Sequence, residues 1–204
     1  MRIQQRNRSG KNDLVSSPIF WSSKNEPLWS ARVFGKENAI GGWGVYLTYQ
    51  DYEKTLYGGD KNVTNNQMEI KAVIEGLKQL KINTIPIEVI CDSAYVVNCI
   101  NQKWYNKWIL NNWRTSTKKP VENKDLWQEL LNVISQFKHI QFFRITGHLS
   151  MNKMDQLENA HKKFVEENRT CLPMEEFIKY MQGNNLADLL VNKAMNKLEG
   201  NYEY

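Results

Sequence analysis

Residues 64–96 read TNNQMEIKAVIEGLKQLKINTIPIEVICDSAYV, and the order of patterns in this stretch decides the fold. Thr64 stands three residues before Gln67, the spacing of a helix-capping box, and apolar residues then recur at helical intervals, which predicts a helix over 65–81. Residues 85–92 are β-branched and mostly apolar, as in a strand buried on both faces, and they end in Asp92. Because a β-rich stretch at 54–59 precedes the helix, the sequence predicts a parallel crossover.

The segments on either side of this stretch also alternate between strand and helix patterns. Glycines at 41, 42 and 44 punctuate an aromatic β-prone run, which predicts a strand. Apolar periodicity predicts helices from Ser93 to about Trp108 and over 125–137, and residues 140–146 form another strand pattern. Helical patterns fill 149–183 around a break near Pro173, and a last helix is expected to start at Asn184 or Asn185. The chain is therefore predicted to be α/β.

Length and composition limit the domain organisation. With 204 residues, 41% of them apolar, the chain can bury one sizeable core, so we expect one domain over 14–204. Residues 1–13 carry Arg2, Arg6, Arg8 and Lys11 against Asp13 alone, and we expect a flexible basic arm there. The net charge of +5 favours a polyanionic partner such as nucleic acid, although an excess of this size is also ordinary.

Cysteine usage and hydropathy bear on the cellular compartment. Cys91, Cys99 and Cys171 are odd in number and form no C-x-x-C pair, so neither a disulfide framework nor a zinc site is indicated. No apolar run approaches the roughly 18 residues of a membrane span. We expect a soluble protein without membrane partners, intracellular, in the cytoplasm or nucleus, with a mitochondrial address on the basic arm as the alternative.

Three acidic residues fall where an α/β fold forms a cleft. Glu69 lies in the first turn of a predicted helix, Asp92 ends a strand, and Asp188 lies in the first turn of the expected last helix. Carboxylates gathered in one cleft repel one another unless a cation lies between them, and hard oxygen ligands suit Mg²⁺ or Mn²⁺. For any one of the three, a solvated surface charge is the commoner interpretation.

The words around these acids resemble ribonuclease H signatures. They are TNNQMEI at 64–70, CDSAYV at 91–96, TGH at 146–148 and NLADLL at 185–190. The tryptophan-rich segment 104–127 resembles the handle of the cellular enzymes. The resemblance covers about 40–148 and 184–197, and it implies a five-stranded mixed sheet flanked by helices, with a helical insertion at 149–183 near the C-terminus.

The resemblance also implies an active site and a reaction. Residues matching Glu69, Asp92 and Asp188 hold two metal ions, Mg²⁺ or Mn²⁺, and a residue matching His148 on a loop assists proton transfer or product departure. Thr64, Asn65, Asn66 and Asn98 match positions that contact the DNA phosphate and the minor groove of the hybrid. For Thr64 the helix-capping role remains an equal alternative. The implied activity is metal-dependent hydrolysis of the RNA strand of an RNA–DNA hybrid.

This sequence departs from the family pattern at the first catalytic aspartate. Counting ten residues back from Gly41 gives Ala31, and a second alignment, with a longer loop, gives Ser22, so neither supplies an acid. The two-ion site is therefore expected to be weakened and cleavage impaired. The handle also has Ile109, Leu110, Asn111 and Asn112 where basic residues are usual.

Two functions follow from this pattern, and they predict different activities. The first is a ribonuclease H, impaired in this chain; the alternative is a non-catalytic RNA–DNA or RNA-binding scaffold on the same fold. We expect a monomer. The apolar stripes of the insert favour core packing, with a docking site for a protein partner as the alternative.

Overall fold

The structure is a computed structural model that describes residues 27–34, 40–81, 84–147 and 149–200, with only the course of the backbone described for 27–34. The expected arm at 1–13 lies outside these ranges. The elements in chain order are β1 (Pro27–Phe34), β2 (Ile40–Tyr49), β3 (Tyr52–Lys61), α1 (Asn65–Leu77), β4 (Ile87–Cys91), α2 (Ala94–Asn101), α3 (Trp104–Leu110), α4 (Lys124–Ile134), β5 (Ile140–Arg144), α5 (Met154–Asn168) and α6 (Met174–Glu199). The expected α/β class is confirmed.

The five strands form one mixed sheet in the order β3-β2-β1-β4-β5. β1 pairs antiparallel with β2 and parallel with β4, and β4 pairs parallel with β5. β3 pairs antiparallel with β2, so it runs in the same direction as β4, and α1 connects the two as the predicted parallel crossover. The C-terminal ends of the parallel strands β4 and β5 therefore lie at the same end of the sheet.

Two hydrophobic cores cover the two faces of the sheet. The larger core joins β2 and β4 to α1, α2 and α4, and its fully buried side chains include Trp127 and Leu130. The second core joins Ile90 of β4 to Leu157 and Phe164 of α5 and to Phe177 of α6. Alternate residues of β4 enter different cores, as expected of a strand buried on both faces.

Helix α6 lies directly against glycines of the sheet. A Cβ atom at Gly42 would stand 2.8 Å from the carbonyl oxygen of Val191, and one at Gly44 would overlap the carbonyl oxygen of Ala187. These glycines lack a Cβ, so the helix backbone approaches the strand more closely than any side chain would permit. This approach sets the height of α6 above β2.

Two predicted helices differ from the structure. The helix expected over 93–108 is two helices, because Lys103 takes a left-handed conformation with φ of 53° between them. The last helix does not start at Asn184 or Asn185: α6 runs unbroken from Met174 to Glu199. Gly183 and Asn184 resemble a helix break in sequence, but both are buried in the helix interior, where packing outweighs their low helix propensity.

The second arm of the insert is therefore continuous with the helix that carries Asp188. The first arm, α5, joins edge strand β5 through Asn168, whose side chain accepts a hydrogen bond from the Arg144 backbone N–H and donates one to the Arg144 carbonyl. Its Leu157, Ala160 and Phe164 are buried in the second core, whereas Met154 at the start of the same stripe is 59% exposed. Core packing of the stripe is thus confirmed for all of these residues except Met154. No helix within the described ranges is long and apolar enough to cross a membrane.

Substituting Gly44→Ala should destabilise the protein, because the new methyl group must displace the α6 backbone rather than a flexible side chain. We expect the free energy of unfolding in urea to fall by about 1–3 kcal/mol. Gly200→Asn is the matched control, since a Cβ there meets nothing within 4 Å and asparagine tolerates the left-handed C-cap. Equal stability of the two variants would show that α6 does not rest on β2 as described.

Candidate active site

Glu69 is positioned by a helix start that the sequence specifies. The Thr64 hydroxyl accepts a hydrogen bond from the Gln67 backbone N–H, and the Gln67 side chain accepts one of 2.8 Å from the Thr64 N–H, which completes the capping box. The capping role of Thr64 is thus confirmed, and its contact with a substrate phosphate stays a prediction. Glu69 follows five residues after this cap, on the side of α1 next to the end of β4.

Two hydrogen bonds hold the Glu69 carboxylate from opposite sides. The Asn65 side-chain amide donates to Oε1 at 2.6 Å, and the Ser93 hydroxyl donates to Oε2. The Ser93 Oγ also accepts a hydrogen bond from the Val96 N–H as the N-cap of α2. Because Ser93 is fixed by this cap and directly follows Asp92, it ties the start of α1 to the end of β4.

Burial and hydrogen bonding act in opposite senses on the Glu69 carboxyl. Its burial raises the pKa above the usual value, while the hydrogen bonds from Ser93 and Asn65 lower it, and burial is the larger effect. The neighbouring Cys91 thiol also has a raised pKa, first because it is buried and then because the charges of Asp92 and Glu69 disfavour a thiolate.

Asp92 lies against the loop that follows β5. A Cβ atom at Gly147 would stand 2.7 Å from the Asp92 Oδ2, so only glycine leaves room for this carboxylate. The glycine of the Thr-Gly-His motif thus has a steric role. His148 itself lies outside the described residues, but its chain neighbour Gly147 places the start of this loop beside Asp92.

Asp188 lies on α6, which covers the face of the sheet opposite to the one covered by α1 and Glu69. It is 7% exposed on α6, next to Ala187, which lies over Gly44 of β2. Within the described part of the chain, no three His, Cys, Asp or Glu side chains form a group that could hold a metal ion. The described contacts bring Glu69 to Ser93, the residue that directly follows Asp92. The metal and catalytic assignments of Glu69, Asp92 and Asp188 stay predictions. As oxygen donors, Glu69 and Asp92 suit a hard divalent cation.

The strand register locates the position where an acid is missing. In β1, Ser30 is paired with Gly44 of β2, and Trp29 is paired with Cys91 of β4. One step further along the parallel pair, Ser30 lies in line with Asp92. Ala31, which the count from Gly41 gives, is the next residue of β1 and lies opposite Trp43; Ser22 lies outside the described residues.

The remaining predicted substrate residues flank this cleft. Asn65 is exposed at the first position of α1, although its amide is engaged with Glu69, and Asn66 beside it is partly exposed. Asn98 is partly exposed on α2, the helix that begins at Ser93. These placements leave the substrate contacts of Asn66 and Asn98 as predictions.

The handle tryptophans pack against one another. The ring centroids of Trp108 and Trp127 are 5.7 Å apart, Trp113 lies 6.1 Å from Trp108, and the Trp127 indole N–H donates to the Tyr95 hydroxyl at 2.9 Å. This network is a packing core rather than a platform for stacking bases. The basic residues of the segment, and Lys103 just before it, are all exposed: Lys103, Lys107, Arg114, Lys118, Lys119 and Lys124.

Sequence reasoning did not assign a role to three residues that shape this region: Ser93, Gly147 and Asn184. Ser93 directly follows Asp92 in CDSAYV, and Gly147 directly precedes His148 in TGH. Their position next to a predicted site residue is the only signal that the sequence offers for them. Asn184 stands four residues before Asp188, one helical turn, but the local sequence predicts the start of a helix there. Its burial could be known only once α6 was seen to be continuous.

The fold and the site define an α/β domain with acidic side chains at the end of a central strand, and comparison with known proteins identifies its family. The RNase H family model matches residues 34–171. A ribonuclease H from Caldicellulosiruptor saccharolyticus is 43% identical over 146 residues, which span 72% of this chain and 99% of that protein. The chain therefore belongs to the ribonuclease H family.

Solved structures show the same fold at lower sequence identity. The PFV RNase H domain aligns with a TM-score of 0.58 at 22% identity, over 85% of this chain and 94% of that one. A foamy viral protease–reverse transcriptase, determined in complex with an RNA/DNA hybrid, aligns with a TM-score of 0.57 at 17% identity. That alignment covers 85% of this chain and 20% of the viral protein.

The Glu69 carboxyl should give the protein a distinctive pH dependence of stability. Its folded-state pKa is raised, so its contribution to stability is present below the unfolded pKa and is lost as pH rises through the folded pKa. Between pH 4 and pH 7 without metal, the stability of the unmodified protein should fall relative to that of Glu69→Gln, as measured by urea unfolding.

The control for this comparison is Glu166→Gln, at an exposed position on α5. Added Mg²⁺ should then raise the melting temperature of the unmodified protein more than that of Glu69→Gln, because a ligand stabilises the state that binds it. Parallel pH profiles for the protein and both variants would contradict the described burial of Glu69.

Proposed function

We propose that the chain is an endoribonuclease of the ribonuclease H type, which hydrolyses the RNA strand of RNA–DNA hybrids, and that the missing first acid slows it. The observation that supports this most directly is the Glu69 carboxylate, held by Asn65 and by Ser93, the residue that follows Asp92. Burying a carboxylate away from water without a cation disfavours its charged form. Such an arrangement is expected where the acids have a function.

Members of this family generally use divalent metal ions, and we propose Mg²⁺ or Mn²⁺ for this chain. Glu69 and Asp92 would hold the cation, with Asp188 as a further acid from α6. When bound, the cation neutralises charge on the scissile phosphate and lowers the pKa of a water molecule. Ser93 and Asn65 keep the Glu69 oxygens in place, and Gly147 leaves room for the Asp92 carboxylate.

The proposed substrate is an RNA–DNA hybrid, as in the complex of the foamy viral neighbour. Exposed lysines at 103, 107, 118 and 119 and Arg114 give the handle a positive surface that suits phosphates. Exposed Ile109 and Leu110, at 51% and 82% exposure, interrupt this surface with apolar side chains. We therefore expect weaker phosphate attraction at the handle than a fully basic segment would give.

One observation favours a second function, that of a non-catalytic hybrid-binding scaffold. Strand β1, PLWSARVF, contains neither aspartate nor glutamate, so the strand beside Asp92 contributes no carboxylate to the cleft. A protein that had lost catalysis could retain the fold and the handle. Activity measurements on variants of β1 distinguish the two functions.

Restoring an acid in line with Asp92 should restore catalysis. We expect Ser30→Asp to raise Mg²⁺-dependent cleavage of a labelled hybrid at least about a hundredfold, equivalent to roughly 2.7 kcal/mol of activation free energy. Ala31→Asp is the matched control, since consecutive residues of a strand point to opposite faces and only one can reach the cleft. Adding Glu69→Gln to Ser30→Asp should abolish the gain.

Three outcomes have different meanings. Rescue by Ala31→Asp and not by Ser30→Asp would show that the β1 register is wrong. Brisk cleavage by the unmodified chain would show that another residue supplies the acid. Hybrid binding without cleavage in every variant would support the scaffold function.

A further inference from the structure

The side chain of Asn184 is buried in the middle of α6 without a hydrogen-bond partner. Asn184 is 0% exposed, and neither its Nδ2 nor its Oδ1 atom has a partner among the described residues. An unsatisfied buried amide destabilises a protein, because its lost hydration is not replaced. Natural proteins contain few such groups, so this one calls for a physical reason.

The path of α6 across the sheet locates Asn184. The Tyr180 hydroxyl donates to Glu88 of β4 at 2.6 Å, and seven residues later Ala187 lies over Gly44 of β2. Seven helical residues span about 10.5 Å, and two strand spacings cover about 9.6 Å. Strand β1 lies between β4 and β2, so Asn184, midway along this path, lies over β1.

The register identifies which part of β1 lies below it. Met181 belongs to the same buried core as Ile90, whose partner in β1 is Leu28, and Ala187 covers Gly44, whose partner is Ser30. Asn184 therefore covers the backbone between positions 28 and 30. A side chain paired with Gly44 projects to the same face of the sheet as the Cβ that Gly44 would carry. That face is the one covered by α6, so by register position 30 belongs to the α6 face of the sheet.

We propose that Asn184 is a positioning residue for a carboxylate at position 30 of β1, where this chain has serine. The buried amide would donate to that carboxylate and hold it between Asp92 and Asp188. In the present chain the strand has no acid at this position, and the amide has no partner among the described residues. This inference rests on the proposed function, because it assigns the missing acid to the cleft that Glu69 and Asp92 form.

The test is a double-mutant cycle on the full chain, without metal or nucleic acid, so that it does not depend on cleavage. Asn184→Leu alone should raise the melting temperature by about 3–6 °C, because leucine replaces the unsatisfied buried amide with an apolar side chain of similar size. In the Ser30→Asp background the same substitution should lower the melting temperature, because it removes the partner of the new carboxylate. Ala31→Asp in place of Ser30→Asp should give no such reversal.

Shifts of the same direction and size in both backgrounds would overturn the proposal. So would a melting temperature that Asn184→Leu alone leaves unchanged or lowers, because the amide would then be satisfied, for example by a buried water. If a double variant does not fold, NMR signals of the Asn184 side-chain amide in ¹⁵N-labelled protein test the proposal instead. Ser30→Asp should shift these signals and slow their hydrogen exchange; unchanged signals would contradict the proposal.

Discussion

The close approach of α6 to the glycines of β2 is the contact on which the arrangement of the molecule depends. Gly42 and Gly44 admit the helix backbone where any side chain would hold it away. The helix can therefore cross the sheet from Glu88 on β4, over β1, to β2, and then reach Gly59 of β3 through Leu198. Its position carries Asp188 and Asn184 to the centre of the sheet and leaves its first turns to pack with α5.

A second constraint is the bond between Ser93 and Glu69. It joins the first turn of α1 to the N-cap of α2, directly after Asp92 at the end of β4. Burial raises the pKa of the Glu69 carboxyl and outweighs its two hydrogen bonds. On the other face of the sheet, the proposed carboxylate at position 30 of β1, where the chain has serine, would lie between Asp92 and Asp188.

Much of the fold and part of the site could be predicted from the sequence. The capping box at Thr64, the apolar strand ending at Asp92 and the handle tryptophans each depend on residues close together in the chain, and each is confirmed. The five-stranded sheet and the family followed from the order of several motifs, which local periodicity alone would not have provided.

The remaining features depend on tertiary contacts. The continuity of α6 through Gly183 and Asn184 is imposed by packing on the sheet, against the local preference of both residues. The break at Lys103 is a single left-handed residue with no glycine to signal it. The residue of β1 that lies beside Asp92 depends on the length of the β1–β2 hairpin, in which Phe34 pairs with Ile40, and the sequence alone does not give that length.

The central claim is that Glu69 and Asp92 form the cation-binding part of a nuclease site. A crystal structure of the protein with Mn²⁺ and a hybrid, with anomalous scattering recorded for manganese, tests it directly. We expect an anomalous peak within about 2.0–2.3 Å of carboxylate oxygens from both Glu69 and Asp92, typical of Mn²⁺ or Mg²⁺ bound to oxygen, and next to a phosphate of the RNA strand. A hybrid bound at the handle with no manganese at these two carboxylates, or manganese bound elsewhere, would contradict it.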